Sequence, residues 1–151
     1  MRRPRKRKKN RNKLSEHFSK KDFVCKESGT LKISLGLIGA LELLRAKSKK
    51  RISILKGFQS LESAEKAGTI KRNYHTQGLA ADISIESLTV QESFKLAEEI
   101  PEIKGIGINL KENYIHVDTR KAKERSVWLE VKDQEIEVTQ DNREQILGAS
   151  F

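Results

Sequence analysis

The sequence predicts an α+β domain in which helices flank an antiparallel sheet, and three observations predict it. Short β-branched runs such as residues 51–56 (RISILK) and 114–118 (YIHVD) alternate like half-buried strands. Apolar residues at helical spacing mark two longer helices. The polar break Lys111-Glu112-Asn113 between two apolar runs reads as a hairpin turn.

The elements follow in order. Residues 2–13 carry nine basic side chains (Arg2, Arg3, Arg5, Lys6, Arg7, Lys8, Lys9, Arg11, Lys13) and no acidic one. They account for most of the net charge of +10 and leave the rest of the chain near neutrality. Residues 1–13 are therefore expected to be a disordered basic tail, because like charges repel and nothing there can pack. Such a tail can touch polyanions, and a nucleic-acid-associated role through residues 2–13 is one reading of it.

Residues 14–25 form a lead-in segment anchored by Leu14, Phe18, Phe23 and Val24. A helix over residues 31–46 follows from Leu37, Leu41 and Leu44, with basic residues at its C-terminal end. Its most apolar part, residues 31–44, is too short to span a bilayer and contains Lys32 and Glu42. No transmembrane segment is expected. The tail is not followed by a secretory signal, so the chain is expected to be cytoplasmic by default, or to reach the cell envelope by a route not visible in sequence. The single cysteine, Cys25, excludes an internal disulfide framework.

Residues 51–56 are a strand ended by Gly57, and a polar, helix-compatible stretch runs from Ser60 to Gly68. Residues 80–85 are a second strand. Residues 89–100 are a helix capped by Thr89 with Glu92 three positions on, and Pro101 stops it. Residues 104–110 and 114–118 make the hairpin. Further strands are expected at 127–131 and 135–138, and a closing helix at 140–147. The domain is placed at residues 14–131, with 132–151 as an extension packed on it or trailing it. Gly105-Ile106-Gly107 lacks the third glycine and following helix of a nucleotide-binding loop.

The chemistry lies in two histidine segments. His75 opens an H-x6-D pattern ending at Asp82, and His116 opens His116-Val117-Asp118. Two imidazoles and a carboxylate suit Zn²⁺, and a fourth position left open is the arrangement of a catalytic site. Such an ion activates water and polarises a scissile carbonyl. Along a strand Tyr114, His116 and Asp118 share a face at spacings of roughly 6.5–7 Å. His116 could therefore bind a metal while Asp118 reaches a water or the second shell.

These segments resemble a known family. Residues 75–83 (HTQGLAADI) resemble the S-x-H-x-x-G-x-A-x-D-[IL] signature of the zinc D-Ala-D-Ala carboxypeptidase-like metallopeptidases, which share the hedgehog/DD-peptidase fold. Gly107-Ile108, residues 114–120 (YIHVDTR) and Trp128 look like the G-[IV]-G…H-V-D-x-R…W ending of one branch. The resemblance covers residues 14 to about 130. It implies zinc on His75, Asp82 and His116, and hydrolysis of peptide bonds in peptidoglycan as a D-Ala-type carboxypeptidase or endopeptidase.

Two departures qualify it. The acid that better-known branches carry three positions before the last histidine is Asn113 here, which cannot act as a base. Asp118 is the expected general acid/base, from strand parity and the H-V-D pattern, with Glu112 in reserve. The arginine of the S-G-[YF]-R-S turn is Gln59, and a neutral amide cannot match a guanidinium's bidentate grip on a carboxylate. Lys56 or Arg72 could compensate, or the substrate lacks a free carboxylate there, which favours an endopeptidase. Gln59, Arg72 and Tyr114 are the expected substrate contacts. The rival reading is a zinc-retaining but idle binding module for peptidoglycan peptides.

Overall fold

Alternation along the strands builds one six-stranded sheet with an apolar face and a polar face. The computed structural model describes residues 11–69, 73–132 and 134–148. A short helix, α1 (Lys20–Phe23), precedes α2 (Leu35–Ser48), β1 (Ile52–Lys56) and α3 (Leu61–Ala67). A 3-10 turn (Tyr74–Gln77) leads to β2 (Ala80–Ile85) and α4 (Val90–Glu98). The hairpin β3 (Gly105–Asn109) and β4 (Tyr114–Asp118) follows, then β5 (Ser126–Val131), β6 (Gln134–Glu137) and α5 (Gln140–Gly148). The strand order is β1-β2-β4-β3-β5-β6.

The expected antiparallel sheet is corrected at one place. β3 and β5 run parallel, so the sheet is mixed. The connection carrying the chain from β4 to β5 returns it alongside β3 rather than forming another hairpin. The expected boundary at residue 131 falls at the β5–β6 hairpin, and β6 pairs with β5 as part of the same sheet. At the other end the basic tail lies outside the described residues up to position 10. Asn12 and Lys13 are already tied to the lead-in segment through an Asn12 carbonyl bond to Lys20 N–H and a Lys13–Ser19 bridge. Among the described residues no helix is long and apolar enough to cross a membrane.

Helix limits follow local capping. α2 begins at Leu35 rather than residue 31, because the Ser34 hydroxyl accepts from Gly36 N–H and residues 31–33 stay outside the helix. Lys49, at φ +55°, ends it in a left-handed conformation. Glu42 on α2 fastens the lead-in segment by accepting from Ser15 Oγ, His17 N–H and the His17 ring. In α4, Thr89 and Glu92 form the expected reciprocal cap. This helix stops at Glu98, short of residue 100, where the Arg125 guanidinium takes over its terminal carbonyls.

Arg125 donates to Glu98 O, Ile100 O and Ile103 O at 2.7–2.8 Å, a cation placed at the negative end of the helix. Arg125→Ala is expected to lower stability by about 2–3 kcal/mol, since charge-assisted bonds are lost and three carbonyls must find water. A chemical-denaturation midpoint indistinguishable from wild type would show that solvent replaces them freely.

α4 lies on the apolar face of β2, β3 and β4, and α2 packs against α4. Ile83, Ile85, Ile106, Ile108, Ile115 and Val117 supply that face, with Phe94 and Leu41 among the fully buried side chains against it. The other face carries the alternate residues. There Asp82 pairs with His116, His116 with Gly107, Gly107 with Trp128 and Trp128 with Glu137, in one row across five strands.

Candidate metal centre

That row and the 3-10 turn bring three donors together. Asp82 and His116 are cross-strand partners on β2 and β4. His75 arrives from the turn Tyr74–Gln77, which Asn73 caps by accepting from His75 N–H at 3.0 Å. Gly78 closes the turn at φ +70°, and a Cβ there would lie 2.5 Å from the Lys32 carbonyl oxygen. His75 Nε2 lies 3.2 Å from Asp82 Oδ1, and so does His116 Nδ1. Both histidines are more than nine-tenths buried, at 6% and 8% exposure.

Each imidazole is fixed from behind. His75 Nδ1 meets the Gly57 carbonyl at 2.8 Å, which can only accept, so this nitrogen carries the hydrogen. His116 Nε2 donates to Asp118 Oδ2 at 2.7 Å. The opposite nitrogens therefore present lone pairs, and both face the Asp82 carboxylate. Three electron-rich atoms converging at this distance need a cation among them, either a proton or a metal ion. Edges of about 3.3 Å are what a tetrahedral site with bonds of about 2 Å requires, and carbonyl or carboxylate partners behind the rings are the usual support for ligating histidines. The donor set fits a metal ion.

Electrostatics agree with this. Burial alone would lower the His116 pKa, but bonds to Asp118 and Asp82 raise it to about 9. Burial works against the Asp82 charge, yet His116 and His75 hold its pKa well below the usual carboxylate range. The cation-seeking character thus belongs to the cluster as a whole.

Of the two places expected for Asp118, the structure gives the one behind the His116 ring. It shares the face of His116, as strand parity requires, but is fully buried on the far side of the ring from Asp82. Its carboxylate also accepts from Arg120 Nε and Nη2, both at 2.8 Å, and from Arg120 N–H. Burial opposes its charge, but Arg120 first and His116 next hold it at about 2. Asp118 does not line the cleft over the donors. From there its two oxygens hold the His116 ring and the Arg120 guanidinium in place.

Gly105 explains how Asp118 fits. A Cβ on Gly105 would lie 2.1 Å from Asp118 Oδ2, and one on Gly107 would lie 2.7 Å from the Trp128 ring. The two glycines are thus the room that this face needs for a carboxylate and an indole.

The reserve candidate, Glu112, is exposed in the β3–β4 turn and does not line the cleft. Asn113 next to it sits at φ +59°, a left-handed turn position that asparagine tolerates. Gln59 is buried rather than facing the cleft. Its side-chain oxygen accepts from Asn73 Nδ2 at 2.6 Å and its backbone N–H donates to the His75 carbonyl, so it braces the histidine turn. Arg72 lies outside the described residues. Lys56 and Tyr114 do line the cleft.

The cleft has a volume of about 800 Å³. Its lining includes residues that sequence reasoning did not assign to the site. Trp128 is buried and packs on His116 with ring centroids 5.2 Å apart. Glu130 accepts from Tyr114 Oη at 2.9 Å, and from Asn109 Nδ2 and Trp128 Nε1, both at 3.3 Å. Glu135 and Glu137 on β6 also face it. A second histidine-carboxylate grouping, Glu16, His17 and Glu42, is largely exposed and is accounted for by Glu42 fastening the lead-in segment.

Comparison with known proteins adds two findings. The family described as Peptidase M15 matches residues 10–118, which include all three donors and end just before Arg120, Trp128 and Glu130. The peptidoglycan L,D-endopeptidase MepK of Escherichia coli is 28% identical over 81 residues, 50% of this chain and 44% of its own. MepK of Shigella flexneri matches to the same extent. The chain thus spans less than half the length of these relatives.

Proposed function

The chain belongs to the peptidase M15 family, and on that premise we propose that it is a zinc-dependent endopeptidase that cuts a peptide bond in peptidoglycan. One observation carries the reading: His75, Asp82 and His116 converge with lone pairs inward, each imidazole fixed by an acceptor behind it. The mixed sheet with flanking helices supports a domain of the hedgehog/DD-peptidase type. The relatives named L,D-endopeptidases favour cleavage within a peptide over removal of a terminal D-Ala. The loss of the turn arginine at Gln59 points the same way.

His75, Asp82 and His116 would hold the zinc, which when bound supplies Lewis-acid polarisation of the scissile carbonyl and activation of water. Asp118 keeps His116 in one tautomer, and the Gly57 carbonyl does so for His75. Trp128 walls one side of the donors and limits water there. Proton transfer falls to a cleft-facing carboxylate, and we assign it to Glu130. Tyr114, Asn109 and Trp128 fix its position on the site face, whereas Asp118 and Glu112 do not face the cleft. Glu130→Gln should retain zinc and lose turnover by about a hundredfold or more. Undiminished cleavage by this variant would remove the assignment.

The test of the function itself uses the full chain, loaded with zinc, incubated with purified muropeptides and followed by mass spectrometry. Expected is a single defined cut, abolished by a chelator and restored by added zinc. A zinc-loaded protein that cuts no muropeptide would sink the proposal and favour an idle binding module.

A further inference from the structure

We propose that Arg120 is the anion-binding residue of the cleft and takes a carboxylate of the substrate peptide. The inference rests on the reading of the chain as a peptidase of peptidoglycan peptides and narrows its substrate to peptides carrying a carboxylate near the cut bond.

Arg120 lies two residues beyond β4 and lines the same cleft as His75, Asp82 and His116. Its guanidinium is held on three sides. Nε and Nη2 grip the two oxygens of Asp118 at 2.8 Å. Its Cζ sits 4.2 Å from the Tyr74 ring centroid and 5.2 Å from that of Trp128. Asp118 Oδ2 also accepts from His116 Nε2, so the cation is one carboxylate removed from a metal-site histidine. Asp118 is thus shared between Arg120 and His116.

What the guanidinium leaves open is the informative part. Nη1 has no hydrogen-bond partner among the described residues, and the side chain is 16% exposed. That is enough burial to strengthen an ion pair and enough opening to admit one. A rigid planar fork with free donors suits a carboxylate, and its fixed position means little ordering on binding.

The other cleft cations fit less well. All three kinds of nitrogen on Arg125 are taken by carbonyls at the end of α4. Lys56 is half-buried, with no bond that fixes its ammonium among the described residues. Glu130, Glu135 and Glu137 also line the cleft, and their charges disfavour an anion beside them. Glu135 acts on Arg120 through charge but shares no hydrogen bond with it among the described residues.

The test measures binding of a peptidoglycan stem tetrapeptide by calorimetry, with each of its carboxylates converted in turn to a carboxamide. The recovered peptide is checked for integrity, and where it is cut, kcat/KM serves for the same comparison. In the wild-type chain, blocking one carboxylate should weaken binding about ten- to a hundredfold. In Arg120→Ala the same block should change binding less than about twofold, because the partner is gone. The amide peptide is the internal reference, so general damage to the site does not imitate this result. Arg120→Lys, which keeps the charge but not the fork, should discriminate less than wild type and serves if the alanine variant does not fold. Equal sensitivity in wild type and variants, or no sensitivity in wild type, overturns the assignment. Wild-type protein that cuts the peptides yet ignores the block loses only Arg120. Protein that neither binds nor cuts any of them loses the peptidoglycan reading as well.

Discussion

His116→Ala is expected to abolish zinc retention and cleavage together, leaving metal content near zero against about one ion per wild-type chain. Three donors are the minimum for a tight site that keeps an open position, and His116 is also the link between Asp82 and Asp118. Its removal leaves His75 and Asp82 as a pair and strips the buried Asp118 of one donor. Elemental analysis of protein purified without added metal checks the first part, and muropeptide digestion the second. The wild-type site adds a pH signature. Without a metal the His116 pKa is raised to about 9, so near neutrality the ion must displace a proton. Zinc affinity should therefore rise with pH across the neutral range, by up to about tenfold per unit for one displaced proton, and level off above pH 9. Zinc retained by the alanine variant would place the ion elsewhere.

Much of this centre was legible in the sequence because its donors sit on regular elements. Residues 80–85 alternate so plainly that β2 was bounded correctly, and alternation alone puts Asp82 opposite the face of Ile83. Thr89 and Glu92 announce α4 through local chemistry that no distant contact overrides. Strand parity likewise put Tyr114, His116 and Asp118 on one face. Parity says nothing about direction within that face, however. Asp118 turns toward the rear nitrogen of His116 because Gly105 on the next strand leaves space there, and that depends on register across β3 and β4. Trp128 and Glu130 were not placed beside the site for a related reason. Their place in the cleft requires β5 to lie parallel beside β3, a pairing set by the return of the chain after β4 and not by any local pattern. Gln59 illustrates a third limit. The side chain that stands at a substrate-binding position in the family pattern is turned inward here, where Asn73 supplies its partner.

Asp118→Asn separates the two roles that a carboxylate after His116 can play. A general base would lose turnover by about a hundred- to ten-thousandfold while the zinc stayed in place. The position behind the ring predicts another outcome. Asparagine keeps one oxygen for either His116 or Arg120, but not a charge for both. The imidazole then loses its fixed tautomer and Arg120 loses half of its grip. Zinc affinity should fall about ten- to a hundredfold, and activity should recover largely when zinc is supplied in excess. The Asp118 pKa of about 2 lies below the ordinary carboxylate value of 3.8, so its charge stabilises the fold above that value. The contribution is lost as pH falls from about 4 to about 2, and the acid unfolding of the variant should lack this component. Gly105→Ala offers an independent route to the same state. It leaves the carboxylate chemically intact but puts a methyl where its oxygens sit, 2.1 Å from the nearest, so Asp118 must move. Both variants should share weakened zinc binding with activity rescued by excess metal. Activity that stays lost at saturating zinc in Asp118→Asn, yet is normal in Gly105→Ala, would return Asp118 to the chemistry itself.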